Sequence, residues 1–276
     1  MQKNCNRVCK ASRRLIRHTV IFLSLCTQVQ AAELALVIDD LGYSHERGLR
    51  AIELPGAVTL AVLPFAPHTP RLVKAAAAHS KDIIVHQPME ATPAPHVRFE
   101  QGTLTLAMRP REFTATFAAA LDAIPSRVGV SNHTGSLLTE HRGPMNRLMK
   151  EIDRRGLFFL DSRTTADTVA MRVATEHGVP AITRDVFLDH VQTTEAIHAA
   201  FEKSLRIARR RGHAVVIGHP HSVTLDYLEY RLKRLPADVK LVTAAELSQR
   251  NSLRTNPPTV LAQPSGLTSL RISPGQ

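Results

Sequence analysis

Two aspartates stand side by side where an apolar run stops. The stretch LALVIDDLGY, residues 34–43, carries Asp39 and Asp40 directly after Leu34–Ile38. A buried strand that ends in two adjacent carboxylates needs a reason for them. Five other apolar runs stop in a similar way. DIIVHQPME ends in His86, with Glu90 four residues later, and RVGVSNHTGS ends in Asn132 and His133. GLFFLDSRTT ends in Asp161, Ser162 and Arg163, VPAITRDVFLD turns polar at Arg184 and Asp185, and HAVVIGHPH ends in His219 and His221. Each taken alone has a plain explanation as a turn, a helix cap or a satisfied core histidine. Six that converge, rich in His and Asp, describe a polar pocket.

That set of donors limits the chemistry. Two histidines and one aspartate suit zinc, and iron or cobalt nearly as well, and leave a coordination position for water. A divalent metal brings the pKa of bound water to roughly 7 and polarises a carbonyl oxygen. A second carboxylate beside it can take the water's proton as general base. Neighbouring residues leaving a strand diverge, so one aspartate is expected to bind the metal and the other to face the water. A histidine across the pocket would protonate the leaving group. The expected reaction is metal-assisted hydrolysis of an amide or ester. Phosphoester hydrolysis would want more cations than Arg163 and Arg184 supply.

The elements that must position these residues are strands alternating with helices. Strands are expected at Leu34–Asp39, Val58–Leu63, Asp82–His86, Arg127–Ser131, Leu157–Leu160, Ala181–Thr183, His213–Ile217 and Val239–Val242. Several are continuous apolar runs, as strands covered on both faces require. Helices are expected at Glu46–Glu53, Thr69–His79, Pro110–Ala123, Pro144–Arg155, Thr165–His177, Thr194–Arg211 and Leu225–Leu235, with Gly156, Gly178 and Gly212 just past three of the ends. Alternation of this kind over some 215 residues gives a parallel α/β sheet, which places its active site at the C-terminal ends of the strands. No linker interrupts residues 33–250, which are expected to form one domain. Residues 251–276, rich in Pro, Ser, Thr and Gly, read as a disordered tail.

Residues 1–32 have a different composition. Six Lys and Arg precede His18 without an acid, an apolar run spans Thr19–Cys26, and small residues follow to Ala32. Basic, apolar, small is the order of a secretory signal peptide, cleaved here after Ala31 or Ala32. The apolar run is too short for a membrane span, so the mature chain is expected to be periplasmic or otherwise exported, without a transmembrane segment. All three cysteines, Cys5, Cys9 and Cys26, fall in this segment. The mature chain then has no disulfide or thiolate site, and any metal must rest on His and carboxylate. Six of the 35 basic residues leave with it, so the net charge falls from +11 to +5. RIARRRGH, residues 206–213, sits at a helix end, where cations complement the dipole. Nucleic acid is not an expected partner, because basic and aromatic residues are not interleaved.

IDDLGY, VTLAVLPFAPH, HQPMEA, VSNHTGS, GLFFLDSRTTA, VPAITRDVFLD and IGHPH, in that order, resemble the divergent polysaccharide deacetylase family, the YibQ-like branch of the carbohydrate esterase deacetylases. The resemblance runs from about Leu34 to Leu247. It implies a single-domain distorted (β/α) barrel of about seven parallel strands and a glycan substrate from the cell envelope carrying N- or O-acetyl groups. It further implies that Asp39 is the base, Asp40 a ligand of a divalent metal, foremost zinc, and His219 the general acid. The wider pattern has two ligand histidines four residues apart. His86 keeps the first place, but Glu90 occupies the second, so His133 is taken as the third ligand with Glu90 as the alternative. Asn132, Asp161, Arg163 and Asp185 are taken as supporting or substrate-binding residues. The superfamily's Arg-Pro-Pro stretch is replaced by SNHTGS. The competing reading is a non-catalytic barrel that binds a glycan or an envelope protein around a structural metal.

Overall fold

The computed structural model describes residues 31–93 and 99–255. Residues 1–30 of the expected signal peptide, residues 94–98 of the Pro-rich stretch and the tail beyond 255 lie outside the described residues, while Ala32, read as the peptide's last residue, opens β1. Nine strands alternate with helices: β1 Ala32–Leu41, α1 His45–Glu53, β2 Val58–Val62, α2 Thr69–Ala78, β3 Ile83–Met89, α3 Pro110–Asp122, β4 Arg127–Thr134, α4 Arg142–Arg154, β5 Phe158–Asp161, α5 Ala170–Glu176, β6 Ala181–Thr183, β7 Val186–Phe187, α6 Thr194–Arg211, β8 His213–Gly218, α7 Ser222–Arg231, β9 Val239–Leu241 and α8 Ala244–Thr255. Every strand pair is parallel, in the order β6-β5-β4-β3-β2-β1-β8-β7, with β9 added beside β1.

The two edges of this sheet are consecutive in sequence. β6 ends at Thr183 and β7 begins at Val186, so the chain crosses from one edge to the other through Arg184 and Asp185 alone. Arg184 N–H donates back to Asp161 O of β5 at 3.0 Å, and Asp185 N–H donates forward to Val215 O of β8 at 2.8 Å. β6 and β7 thus act as one bent strand that pairs with β5 in its first half and β8 in its second. The result is a distorted (β/α) barrel, with β6 and β7 together as the seventh stave.

Alternation along the strands separates two cores. Outward residues such as Leu34, Leu36 and Ile38 of β1 pack under the helices. Inward residues are smaller and fewer: Ala35 and Val37, Ala61, Ile84, Phe158 and Leu160, Ile182, Val215 and Ile217. α8 closes the N-terminal end of this lumen with Ala244 and Leu247. Continued one or two residues further, the same inward parity brings Asp39, His86 and His219 to the open end.

Two helices differ from the sequence reading. α5 begins at Ala170 rather than Thr165, because side chains in the preceding segment bind elsewhere. Thr164 donates to Thr134 O, Thr165 to Glu140 and Thr168 to Asp161, bonds that compete with a helix. α8 was not expected, and it carries the fold through Thr255, five residues past the boundary read at 250. Its start is a capping box: Glu246 N–H faces Thr243 Oγ1, and Thr243 N–H faces the Glu246 carboxylate, both at 3.2 Å. Because Leu247 is wholly buried as the plug of the lumen, Leu247→Ala should cost about 2–5 kcal/mol. A lower urea midpoint at unchanged denaturant slope is the expected reading.

Candidate active site and metal centre

Asp39 and Asp40 do not diverge as expected. Asp40 has φ +56, the left-handed region that a non-glycine residue rarely adopts, and the β1–β2 register shifts between Ile38 and Leu41. This kink cancels the strand alternation, and both carboxylates turn into the same cavity. Asp40 Oδ1 lies 3.1 Å from His86 Nε2, and Asp39 Oδ2 lies 3.6 Å from the same nitrogen. Thr134 and Arg163 have φ of +51 and +47 at the ends of β4 and β5. Asp40 and Thr134 line one cavity, and Arg163 stands between Ser162 and Thr164, which also line it, a clustering of strain typical of functional sites.

β3 and β4 run in register, with His86 beside Ser131 and Pro88 beside His133. His133 Nδ1 comes within 2.8 Å of Asp40 Oδ1. Neither histidine contact has the alignment of a hydrogen bond, and Asp40 Oδ1 is buried without a hydrogen-bond partner, as is Asp39 Oδ1. Orphaned buried carboxylate oxygens are costly. Of the other ring nitrogens, His86 Nδ1 is hydrogen-bonded with Ser131 Oγ at 2.7 Å, and His133 Nε2 lies 3.3 Å from Glu100 Oε1 as an ion-pair contact. One atom each from Asp40, His86 and His133 thus faces a shared point, all within 4.8 Å of one another. Zinc bonds of roughly 2.0–2.1 Å at tetrahedral angles place neighbouring ligand atoms about 3.3 Å apart, close to the separations seen. The donor set fits a divalent metal.

Electrostatics divides the two aspartates. Burial pushes the Asp39 carboxyl up, with Asp40 adding to the shift and His86 opposing it. Burial acts on Asp40 in the same direction, but His133 and His86 outweigh it and hold its carboxyl far below the usual range. One carboxylate is thus a fixed anion and its neighbour has the affinity for a proton that a base needs. His133 resists burial because Asp40 and Glu100 flank it, and its pKa stands at about 10.

Across the cavity, His219 Nε2 lies 3.9 Å from Asp40 Oδ2. Its Nδ1 is 2.8 Å from Asp189 Oδ1, its backbone N–H donates to Asp189 Oδ2 at 2.6 Å, and the Thr224 hydroxyl donates to that same oxygen at 2.8 Å. Burial lowers the His219 pKa, yet Asp189 foremost, with Asp40 and Asp39 adding, more than reverses this and the net shift is upward. The cavity, of about 210 Å³, is also lined by Asn132, Ser162, Thr164 and Phe187.

Four expected site residues lie elsewhere. Glu90 stands beyond the end of β3 and accepts Leu106 N–H at 2.6 Å. Asp161 has the outward parity of Phe159, so its neighbour Ser162 faces the cavity instead. Its carboxylate accepts Arg163 N–H and the Thr168 hydroxyl. Arg163 is exposed, and its carbonyl accepts from Arg184. Asp185 pairs with Arg211 of α6 and accepts Val215 N–H. Asn132 does border the cavity and ties β4 to β5, accepting Ser162 N–H at 2.9 Å and donating to Thr134 O at 2.8 Å. Asp189, Ser131 and Glu100 were missed. Asp189 closes the VFLD run two residues past β7, a strand-end position like those singled out. Ser131 was legible only through the β3–β4 register, and Glu100 carries no local signal.

The family model for divergent polysaccharide deacetylases matches residues 36–248. The chain belongs to this family. The uncharacterized protein YibQ of Escherichia coli (strain K12) is 35% identical over 252 residues, 91% of this chain and 78% of YibQ. An uncharacterized protein of Haemophilus influenzae is 32% identical over 230 residues, 83% of this chain and 81% of that one. Among solved structures, an uncharacterized protein of Agrobacterium tumefaciens C58 superposes with a TM-score of 0.74 at 23% identity, covering 79% of this chain and 89% of that one. That likeness shows the shared fold. Family and fold support a carbohydrate-deacetylase type of function, for which a glycan is the fitting substrate class. Among the described residues of this deacetylase-family chain, no helix is long and apolar enough to cross a membrane.

Asp189→Asn removes the anion that lifts the His219 pKa. That pKa should move down toward the ordinary histidine value, read from the ring shifts of His219 in a pH titration of the metal-free protein.

Proposed function

We propose that this chain is an exported, metal-dependent hydrolase that removes N- or O-acetyl groups from a cell-envelope glycan. The observation that carries the reading is the convergence of Asp40 Oδ1, His86 Nε2 and His133 Nδ1, with buried Asp39 on one side and His219 on the other. Export is supported by the basic, apolar and small segments of residues 1–32.

Asp40, His86 and His133 would hold the divalent metal, foremost zinc, which supplies Lewis acidity toward the acyl oxygen and an activated water. Asp39 accepts the water's proton, and its raised carboxyl pKa suits that task. His219 donates a proton to the departing sugar nitrogen or oxygen. Asp189 fixes Nδ1, so Nε2 is the atom aimed at the cavity. Asn132 keeps the β4 and β5 ends together, and Phe187 offers an apolar wall to the acetyl methyl. A cavity of about 210 Å³ is below the roughly 300–1,000 Å³ of pockets that enclose a drug-sized ligand. It takes an acetyl group and part of one sugar ring, leaving the rest of a glycan outside.

The second reading, a non-catalytic glycan- or envelope-protein-binding barrel, draws support from SNHTGS standing in place of the superfamily's Arg-Pro-Pro stretch. Two experiments separate the readings. Metal analysis of purified protein should find about one zinc per chain, as a three-ligand site with an open position requires, bound too weakly to survive purification in His133→Ala and kept in Glu90→Ala. Asp39→Asn should keep that zinc while acetate release from acetylated glycan falls by roughly 10²–10⁴-fold. Glycan binding without acetate release in wild type and variant alike would favour the binding barrel.

A further inference from the structure

The segment that carries Glu100 is the part of the site the proposed reaction does not use. Past β3, the backbone near Leu104 returns alongside the strand end. Leu104 N–H donates to Pro88 O, and Glu90 N–H donates to Leu104 O, both at 2.9 Å. Gln87, wholly buried, donates to Gly102 O at 2.9 Å, and the Thr103 hydroxyl donates to Glu100 O at 2.7 Å. Gly102 has φ +79, and a Cβ there would meet the Phe65 ring at 2.3 Å. The turn is therefore fixed by several independent contacts. It delivers the Glu100 carboxylate to 3.3 Å from His133 Nε2, and Tyr43 lines a small pocket together with Glu100.

We infer that Glu100 is the positioning residue of His133, holding the ring's Nε2–H so that Nδ1 faces the point shared by Asp40 and His86. The inference rests on the metal-centre reading above. An imidazole that binds metal through Nδ1 must carry its proton on Nε2, and a carboxylate there fixes tautomer and ring plane together. His86 has the mirror arrangement, with Ser131 at Nδ1 and Nε2 toward Asp40. The two rings differ in enclosure: the His86 side chain is 3% exposed and that of His133 is 18% exposed. His133 is also the next-to-last residue of β4, one residue before strained Thr134. It is the ring that needs an external hold. Glu90 contributes indirectly. It occupies the place where the resemblance expects a ligand histidine, and it accepts Leu106 N–H of the returning segment. The ligand has moved to β4, and the segment tethered by Glu90 supplies its carboxylate.

The test measures zinc dissociation constants by chelator competition on the purified chain, together with histidine-ring NMR of the metal-free protein. Glu100→Ala should weaken zinc by roughly 10–100-fold and should weaken it no further in a His133→Ala background. In the metal-free protein, Glu100→Ala should abolish the protected Nε2–H resonance of His133. Should Glu100→Ala fold poorly, isosteric Glu100→Gln serves the same comparisons with smaller effects in the same direction. Equal weakening in both backgrounds, or His133 signals unchanged by the substitution, overturns the inference. A wild type that takes up no zinc, yet loses the Nε2–H signal in Glu100→Ala, supports the pairing and overturns only the metal reading.

Discussion

Two adjacent carboxylates turned into one protein cavity repel each other and lose their hydration, and everything around them answers that cost. A regular strand would have sent Asp39 and Asp40 to opposite faces, so the left-handed backbone at Asp40 creates the problem. The histidines solve part of it. His86 reaches both carboxylates, His133 reaches Asp40 from the next strand but two, and His219 faces Asp40 from the far side. What they leave unsatisfied is also informative, because two buried carboxylate oxygens without hydrogen-bond donors call for a cation.

The barrel explains why these histidines can be so far apart in sequence. β1 occupies the middle of the sheet, with β2 and β3 on one side and β8 on the other. Asp39, His86, His133 and His219 meet because inward parity is kept at the ends of β1, β3, β4 and β8, and Asp40 joins them through the kink at its own backbone. Behind them the wall is built from small and medium apolar side chains together with Phe158, which is how a chain without tryptophan fills a barrel. Arg184 holds the seam where the sheet edges meet. It donates to the carbonyls of Ser162 and Arg163 and lies 3.6 Å over the Phe187 ring.

Most of the architecture was legible because parallel strands buried on both faces leave continuous apolar runs, and because glycines mark helix ends. Asp39, Asp40, His86, His133 and His219 were legible for a related reason: each interrupts an apolar run at the edge where α/β folds place their sites. The same rule overreached at Asp161 and Asp185. Strand ends were readable there, but the facing of the final residue was not, since parity depends on where each strand begins and whether it bulges. That His133 borders the cavity while Glu90 is taken up by Leu106 N–H could not be read locally, since the returning segment reaches Glu90 through contacts distant in sequence. α8 escaped notice although its capping box, Thr243 to Glu246, stands in the sequence, because its apolar face is too narrow to give a periodic signal.

The central place of β1 has a consequence for how the molecule comes together. One of its lateral partners, β2, follows at once, but the other, β8, pairs Glu33 with His213. β9 pairs Ala32 with Val239, and the plug of the lumen follows in α8. A chain growing from its N-terminus therefore cannot complete the surroundings of its first strand until almost all of it is available. Sheets with such distant pairings form slowly. Until then Asp39 and Asp40 belong to a half-open sheet and remain hydrated. The two adjacent carboxylates are enclosed only once β8 brings His219 to face them and α8 seals the opposite end.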